Sequence, residues 1–169
     1  METLVHPWGA VYDSESRILI LGTFPSPKSR ENGFPYGHPQ NIFWPTLAEV
    51  LGKEVPAADA AAKKMFLLEN HVALWDVLHS CKIDGASDSS IREPVANKFK
   101  PIIESSKITK IFTTGKKATE LFEKYCTGES GLSPIYLPST SPANRALQAK
   151  PEFKEAWSQV SEAILEKSR

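Results

Sequence analysis

Few residues with chemically useful side chains stand where the apolar runs of this chain end. The run Arg17-Ile-Leu-Ile-Leu-Gly22 leads into Thr23, Phe24 and Pro25, and Val72-Ala-Leu-Trp75 leads into Asp76. Ile108-Thr-Lys-Ile-Phe-Thr113 is followed by Thr114, Gly115 and Lys116, and Ile135-Tyr-Leu137 by "PSTSPANR", which carries Ser139, Ser141, Asn144 and Arg145. After the first run comes "GTFPSPKSRENGFPYGHPQNIFW", a loop stiffened by prolines, in which Phe24, Phe34, Tyr36, Phe43 and Trp44 surround His38 and Asn41. The inventory is one acid, one amide, one imidazole and a few hydroxyls.

Several chemistries need more than that. Glycoside hydrolysis by the usual acid and base requires two carboxylates, and Asp76 is the one acid at such an end. No GxSxG elbow occurs, so Ser139 and Ser141 are poor nucleophiles. A phosphate-binding P-loop at Gly115-Lys116 would need Gly where Lys110 stands and Ser or Thr where Lys117 stands. That turn reads instead as a strand-to-helix connection whose free N–H groups, with Lys116, suit an anion such as a DNA phosphate.

The set does suit a reaction whose transition state largely dissociates by itself. Cleavage of an N-glycosidic bond makes the sugar oxocarbenium-like and leaves negative charge on the departing base. The site must then exclude bulk water, place one water at C1′, hydrogen-bond the base and stack on its face. Stacking on a base calls for aromatic residues in a rigid loop.

Those groups must be brought together by the elements that carry them. The four apolar runs read as strands buried on both faces. Helical patterns lie between them at Phe43 to Leu51, Ala57 to Asn70, a Pro-interrupted region from about Pro94 to Ser105, and Lys116 to Tyr125, where Ala118, Leu121, Phe122 and Tyr125 share one face. A last helix follows Pro151, with Phe153, Trp157, Val160 and Ile164 at helical spacing. Strands alternating with helices predict a three-layer α/β/α sandwich around a central four-stranded parallel sheet, because parallel strands need crossovers. Ligands bind beyond the carboxyl ends of such sheets, so all four strand ends should open on the same edge.

Length and composition set the outer bounds. A chain of 169 residues is expected to form a single domain, and a domain of this length hides roughly two-thirds of its unfolded surface. The formal net charge is zero, which argues against nonspecific polyanion binding by the whole surface. A local basic face remains open to Lys28, Arg30, Lys116, Lys117 and Arg145. No apolar window approaches a membrane span and the start lacks a signal-peptide pattern, so a cytoplasmic protein without a membrane partner is expected. Cys81 and Cys126 show no metal-ligand spacing and read as reduced packing thiols, with no metal site.

The motifs "GTFPS", "GFPYGHPQNIFW", "LWDVLHSC", "TTGKKA" and "LPSTSPANR", in this order and spacing, resemble the hypoxanthine-DNA glycosylase branch of the uracil-DNA glycosylase superfamily. The similarity runs from about His6 to the final helix. It implies a monofunctional DNA glycosylase that flips a deaminated base, hypoxanthine first, out of double-stranded DNA and leaves an abasic site, acting as a monomer without cofactor. Carried over by position, Phe34 stacks on the base while Thr23, Phe24 and Asp76 surround it. Asn41 acts in catalysis by orienting water or stabilising the sugar cation, since an amide is no general base. It also suits a helix cap, and the two roles are compatible.

Many uracil-specific members have Asn where this chain has Asp76. A carboxylate accepts hydrogen bonds, so it can pair with the N1–H of hypoxanthine, which adenine lacks. Asp76 bonding backbone amides is the alternative. Ser139 to Arg145 matches the loop that fills the space of the flipped nucleotide, with Ser139, Ser141, Asn144, Arg145 and Lys116 as DNA contacts. Most branches place Asp or Asn where Phe24 stands, so catalysis by that residue is lost here. The same departure also suits a damaged-DNA binder without turnover. Uracil, xanthine or mismatched bases are alternative substrates, and a small-molecule nucleoside hydrolase is a more distant one.

Overall fold

The continuous apolar run at Ile18–Gly22 is wholly buried and forms the central strand of the fold in a computed structural model that describes residues 1–166. Strands are numbered along the chain as β1 (Thr3–Val5), β2 (Ile18–Gly22), β3 (Val72–Asp76), β4 (Leu78–Lys82), β5 (Arg92–Ala96), β6 (Lys110–Thr114) and β7 (Pro134–Leu137). The helices are α1 (Pro27–Asn32), α2 (Phe43–Leu51), α3 (Ala60–Glu69), α4 (Lys100–Glu104), α5 (Lys116–Tyr125), α6 (Thr127–Ser130), α7 (Arg145–Gln148) and α8 (Pro151–Leu165).

The four expected strands form one sheet in the order β3-β2-β6-β7, parallel throughout. Alternate residues of β2 face opposite layers. Ile18 and Ile20 pack with Phe43, Leu47, Leu67, Phe153 and Trp157 beneath α2, α3 and α8. Leu19 and Leu21 pack with Phe99, Ile102, Ala118, Leu121 and Phe122 beneath α4 and α5. The result is the expected three-layer sandwich, with α2, α3 and α8 packed on one face of the sheet and α4 and α5 on the other.

The second layer holds more than helices. β1, β4 and β5 form a three-stranded antiparallel sheet beside α4 and α5. The helical expectation across Pro94 to Ser105 is therefore corrected: Arg92–Ala96 is strand β5 and the helix is confined to Lys100–Glu104. Pairing with β4 overrides local propensity there, and Pro94 can lie in the outer strand because such a strand has no further neighbour to which it must donate. The N-terminus of α4 is held instead by Glu129, whose carboxylate accepts the N–H groups of Phe99 and Lys100 at 2.9 to 3.0 Å.

The other expected helices agree closely with their sequence signals, whereas α1, α6 and α7 had no expectation in the sequence. Asp59 caps α3 by accepting the Ala62 N–H at 2.6 Å, so the helix begins at Ala60 and not at Ala57. Tyr125 is 41% exposed and only Ala118, Leu121 and Phe122 of its expected face are buried. Among the described residues no helix is long and apolar enough to cross a membrane. Both cysteines are free and buried.

Candidate active site

β2, β3, β6 and β7 end on one edge, and a cavity of about 370 Å³ opens there. From β2 the chain crosses to β3 on one side, whereas β6 and β7 lie on the other, so the crevice falls at the switch in strand order. Gly22, Thr23, Asp76 and Thr114 line it from the strand ends. The chain beyond β3 keeps bonding to the end of β2: Val77 N–H donates to Gly22 O at 2.8 Å and Leu78 N–H to Thr23 O at 3.1 Å. This pairing holds the Thr23 backbone in place.

Asp76 is buried, and its Oδ2 lies 2.7 Å from Nε2 of His6, a side chain itself 1% exposed. Nδ1 of His6 accepts the Trp8 N–H at 3.3 Å, so that nitrogen carries no hydrogen. The ring hydrogen therefore sits on Nε2 and is donated to Asp76. Oδ1 takes part in no hydrogen bond among the described residues and lies against Gly22, where a Cβ would stand 2.5 Å from it. Glycine at position 22 is what lets the carboxylate occupy this place in the adjacent strand, where Asp76 is its register partner. The aromatic rings of Trp8, Phe24 and Trp75 surround the His6 imidazole edgewise at 5.1 to 6.0 Å.

The proline-rich loop is tied down at many points. Ser26 caps α1 through the Ser29 N–H, and Ser29 Oγ accepts the Gly37 N–H at 3.1 Å. Trp44 Nε1 donates to Pro35 O at 3.3 Å. Between them Tyr36 takes a φ of 57°, a left-handed conformation costly for an aromatic residue, and its ring stacks on Phe43 at 3.9 Å and 9°. The Tyr36 hydroxyl meets Thr114 Oγ1 at 3.3 Å. Burial, with the Asp76 charge added, pushes the phenol well above its ordinary range. Tyr36 lines the cavity and stays neutral there.

Asn41 lines the cavity too, and its Oδ1 accepts the Phe43 N–H at 2.9 Å, an Asx turn that opens α2. The N-cap of α2 is Ile42 and not Asn41, which bonds the first helical N–H from one residue earlier, and Nδ2 is left without a hydrogen bond among the described residues. His38 also lines the cavity, and its Nδ1 is held by the Gln40 N–H at 3.1 Å. The opposite wall is the loop after β7, joined to Asn41's neighbour by Ile42 N–H donating to Thr140 O at 3.1 Å. Ser139 Oγ accepts the Ser141 N–H, and Ser141 Oγ accepts the Ala143 N–H. Trp157 of α8 anchors this loop from below by donating to Pro138 O at 3.0 Å.

Six of the residues singled out from the sequence therefore meet at one cavity: Thr23, Phe24, Asn41, Asp76, Ser139 and Ser141. Four do not line it. Phe34 packs with its ring 6.0 Å from Trp44 at the edge of the core, and Tyr36 holds the wall position that Phe34 was expected to fill. Asn144 braces its own loop by donating to Ser139 O at 3.0 Å. Arg145 and Lys116 are exposed at the starts of α7 and α5. Sequence reasoning missed His6, whose partner lies 70 positions away, and Asp88, which lines the cavity from the segment between β4 and β5. The neighbouring Ser87 and Ser89 bond each other at 3.1 Å.

Comparison with known proteins gives a consistent picture. The sequence pattern described as "Uracil DNA glycosylase superfamily" matches residues 10–161. A protein of Methanosarcina acetivorans named "Hypoxanthine DNA glycosylase" is 34% identical over 152 residues, covering 89% of this chain and 94% of its own. A protein of the same name from Methanosarcina barkeri is 29% identical over 151 residues, covering 89% and 93%. A solution NMR structure from Methanosarcina acetivorans, described as a candidate uracil DNA glycosylase, superposes with a TM-score of 0.77 at 31% identity, covering 94% of this chain and 97% of that one. With the motifs, the parallel sheet and the cavity at its carboxyl edge in agreement, the chain belongs to the uracil DNA glycosylase superfamily and is a DNA glycosylase of that superfamily.

Proposed function

We propose that this glycosylase hydrolyses the bond between deoxyribose and hypoxanthine in double-stranded DNA, taking the flipped nucleotide into the cavity and leaving an abasic site. The observation that carries the reading is the Asp76 carboxylate: Oδ2 is engaged by His6, and Oδ1 is left without a hydrogen bond on a residue that lines the cavity. Hypoxanthine presents N1–H there, whereas adenine presents an acceptor, and a buried mismatch of acceptors is costly. The names of the two Methanosarcina relatives point to the same base.

The remaining residues have defined tasks in this reading. The rings of Tyr36 and Phe24 supply the flat, dry walls, with Tyr36 backed by Phe43. Water attacks C1′ as the C1′–N9 electron pair leaves with the base, and the proton the water loses ends on the departed base, giving neutral hypoxanthine and a C1′ hydroxyl. Asn41 places that water: its Nδ2 is free to donate, and Oδ1 keeps a second lone pair beside the one given to Phe43. Ser139 and Ser141 present the loop that enters the gap in the duplex, while Arg145 and Lys116 lie outside the cavity, where phosphates run. In this reading the protein acts as a monomer.

Chromatography of the products from a deoxyinosine duplex tests the reading. Free hypoxanthine and an alkali-labile strand are expected, faster than release of uracil or xanthine from matched duplexes and without cleavage of free inosine. Tight binding to the deoxyinosine duplex with no released base would instead favour a binding module, the reading that Phe24 at the first motif keeps open.

A further inference from the structure

We propose that His6 is the positioning residue of base recognition: its Nε2–H holds Asp76 as an acceptor, with Oδ1 aimed at the ring N–H of the extruded base. This rests on the reading of Asp76 given above. Three observations carry it. The His6–Asp76 bond is short and enclosed on both sides, at 2.7 Å with side-chain exposures of 1% and 8%. The Trp8 N–H fixes the tautomer, so the imidazole can only donate toward Asp76. Among the described residues no lysine or arginine pairs with Asp76, and His6 is the one side chain hydrogen-bonded to its carboxylate, Asn97 reaching only the Asp76 backbone carbonyl.

A carboxyl in this place needs such a partner. Without it Oδ2 would be a buried acceptor with nothing to accept, and the group would be free to turn Oδ1 away from the base. No other cavity side chain hydrogen-bonds the Asp76 carboxylate among the described residues. The Tyr36 hydroxyl is engaged with Thr114, His38 with the Gln40 amide, and Asp88 is itself an acceptor. The edgewise packing of Trp8, Phe24 and Trp75 keeps the imidazole plane in position.

The test uses His6→Phe, which keeps a ring of similar size but has no donor, and His6→Gln, which keeps a donor. His6→Phe should lower kcat/KM for a deoxyinosine duplex on the order of 10- to 100-fold, the range for losing a bond to a charged group. His6→Gln should recover most of that loss. Binding to a duplex carrying a tetrahydrofuran abasic-site analogue, which offers no base to read, should be unchanged in both. In an Asp76→Ala background His6→Phe should change the rate less than about twofold, because the two residues act as one unit. Full activity in His6→Phe, or an undiminished penalty in the Asp76→Ala background, would overturn the inference. Parental cleavage by Asp76→Ala alone would remove the reading of Asp76 beneath it as well.

Discussion

Gly22→Ala is a small change with a large consequence in this architecture. The added methyl would stand 2.5 Å from Asp76 Oδ1 and 3.1 Å from the Tyr36 hydroxyl, whereas ordinary contact begins near 3.4 Å. Oδ1 would have to retreat by about 0.9 Å, yet Oδ2 is tied to His6 and Gly22 is paired with β3 and lies within the central strand. Overpacking of this kind costs about 1–3 kcal/mol. For a domain of this size that lowers Tm by about 2 to 12 °C. The displaced carboxylate should also slow deoxyinosine cleavage on the order of 10- to 100-fold. Urea denaturation of Gly22→Ala, Asp76→Ala and the double variant separates the clash from any general dislike of a side chain in β2. With the carboxylate gone, adding the methyl should cost less than about 1 kcal/mol. An equal cost in both backgrounds would refute the claim that Gly22 exists to admit Asp76.

Other outcomes follow from the same geometry. Tyr36→Phe should leave acid and neutral stability little changed but flatten the alkaline limb. The folded phenol is raised, so the folded state holds a proton that the unfolded chain releases above about pH 10, and stability falls as pH rises beyond that point. Urea titrations of the parent and variant between about pH 9 and 11 would show parallel declines if this is wrong. The thiols should resist a disulfide reagent at neutral pH in the native protein and react on unfolding. Burial raises both, and with the Glu129 charge it pushes Cys126 up to about 12. Prompt native labelling of Cys126 would contradict that burial.

Much of the fold was legible because its signals are local and strong. The run Ile18 to Leu21 is apolar without interruption, and Phe153, Trp157, Val160 and Ile164 repeat at helical spacing, so the sheet and α8 follow directly. The antiparallel sheet was not legible. β1 and β5 are short, largely exposed and mixed in character, and what makes them strands is pairing with β4, which for β1 lies far along the chain.

The site divides in the same way. Asn41 and Asp76 stand next to strong element boundaries and could be placed by position alone. The aromatic wall was harder, because "GFPYG" offers Phe34 and Tyr36 within one turn and the positive φ of Tyr36 decides which lines the cavity. His6 left no local signal, since its role depends on a strand 70 positions further along.

Single-turnover cleavage of a deoxyinosine duplex by the parent and by Asn41→Ala, with alkali revealing abasic sites and duplex affinity measured in parallel, bears most directly on the account. The parent should yield abasic product. Asn41→Ala should lose about 10²- to 10³-fold in rate, as expected for a group that orients the reacting water. It should bind the duplex as before and lose only about 1 kcal/mol of stability from the missing bond to the Phe43 N–H. Undiminished product from Asn41→Ala, or none from the parent despite tight binding, would contradict it.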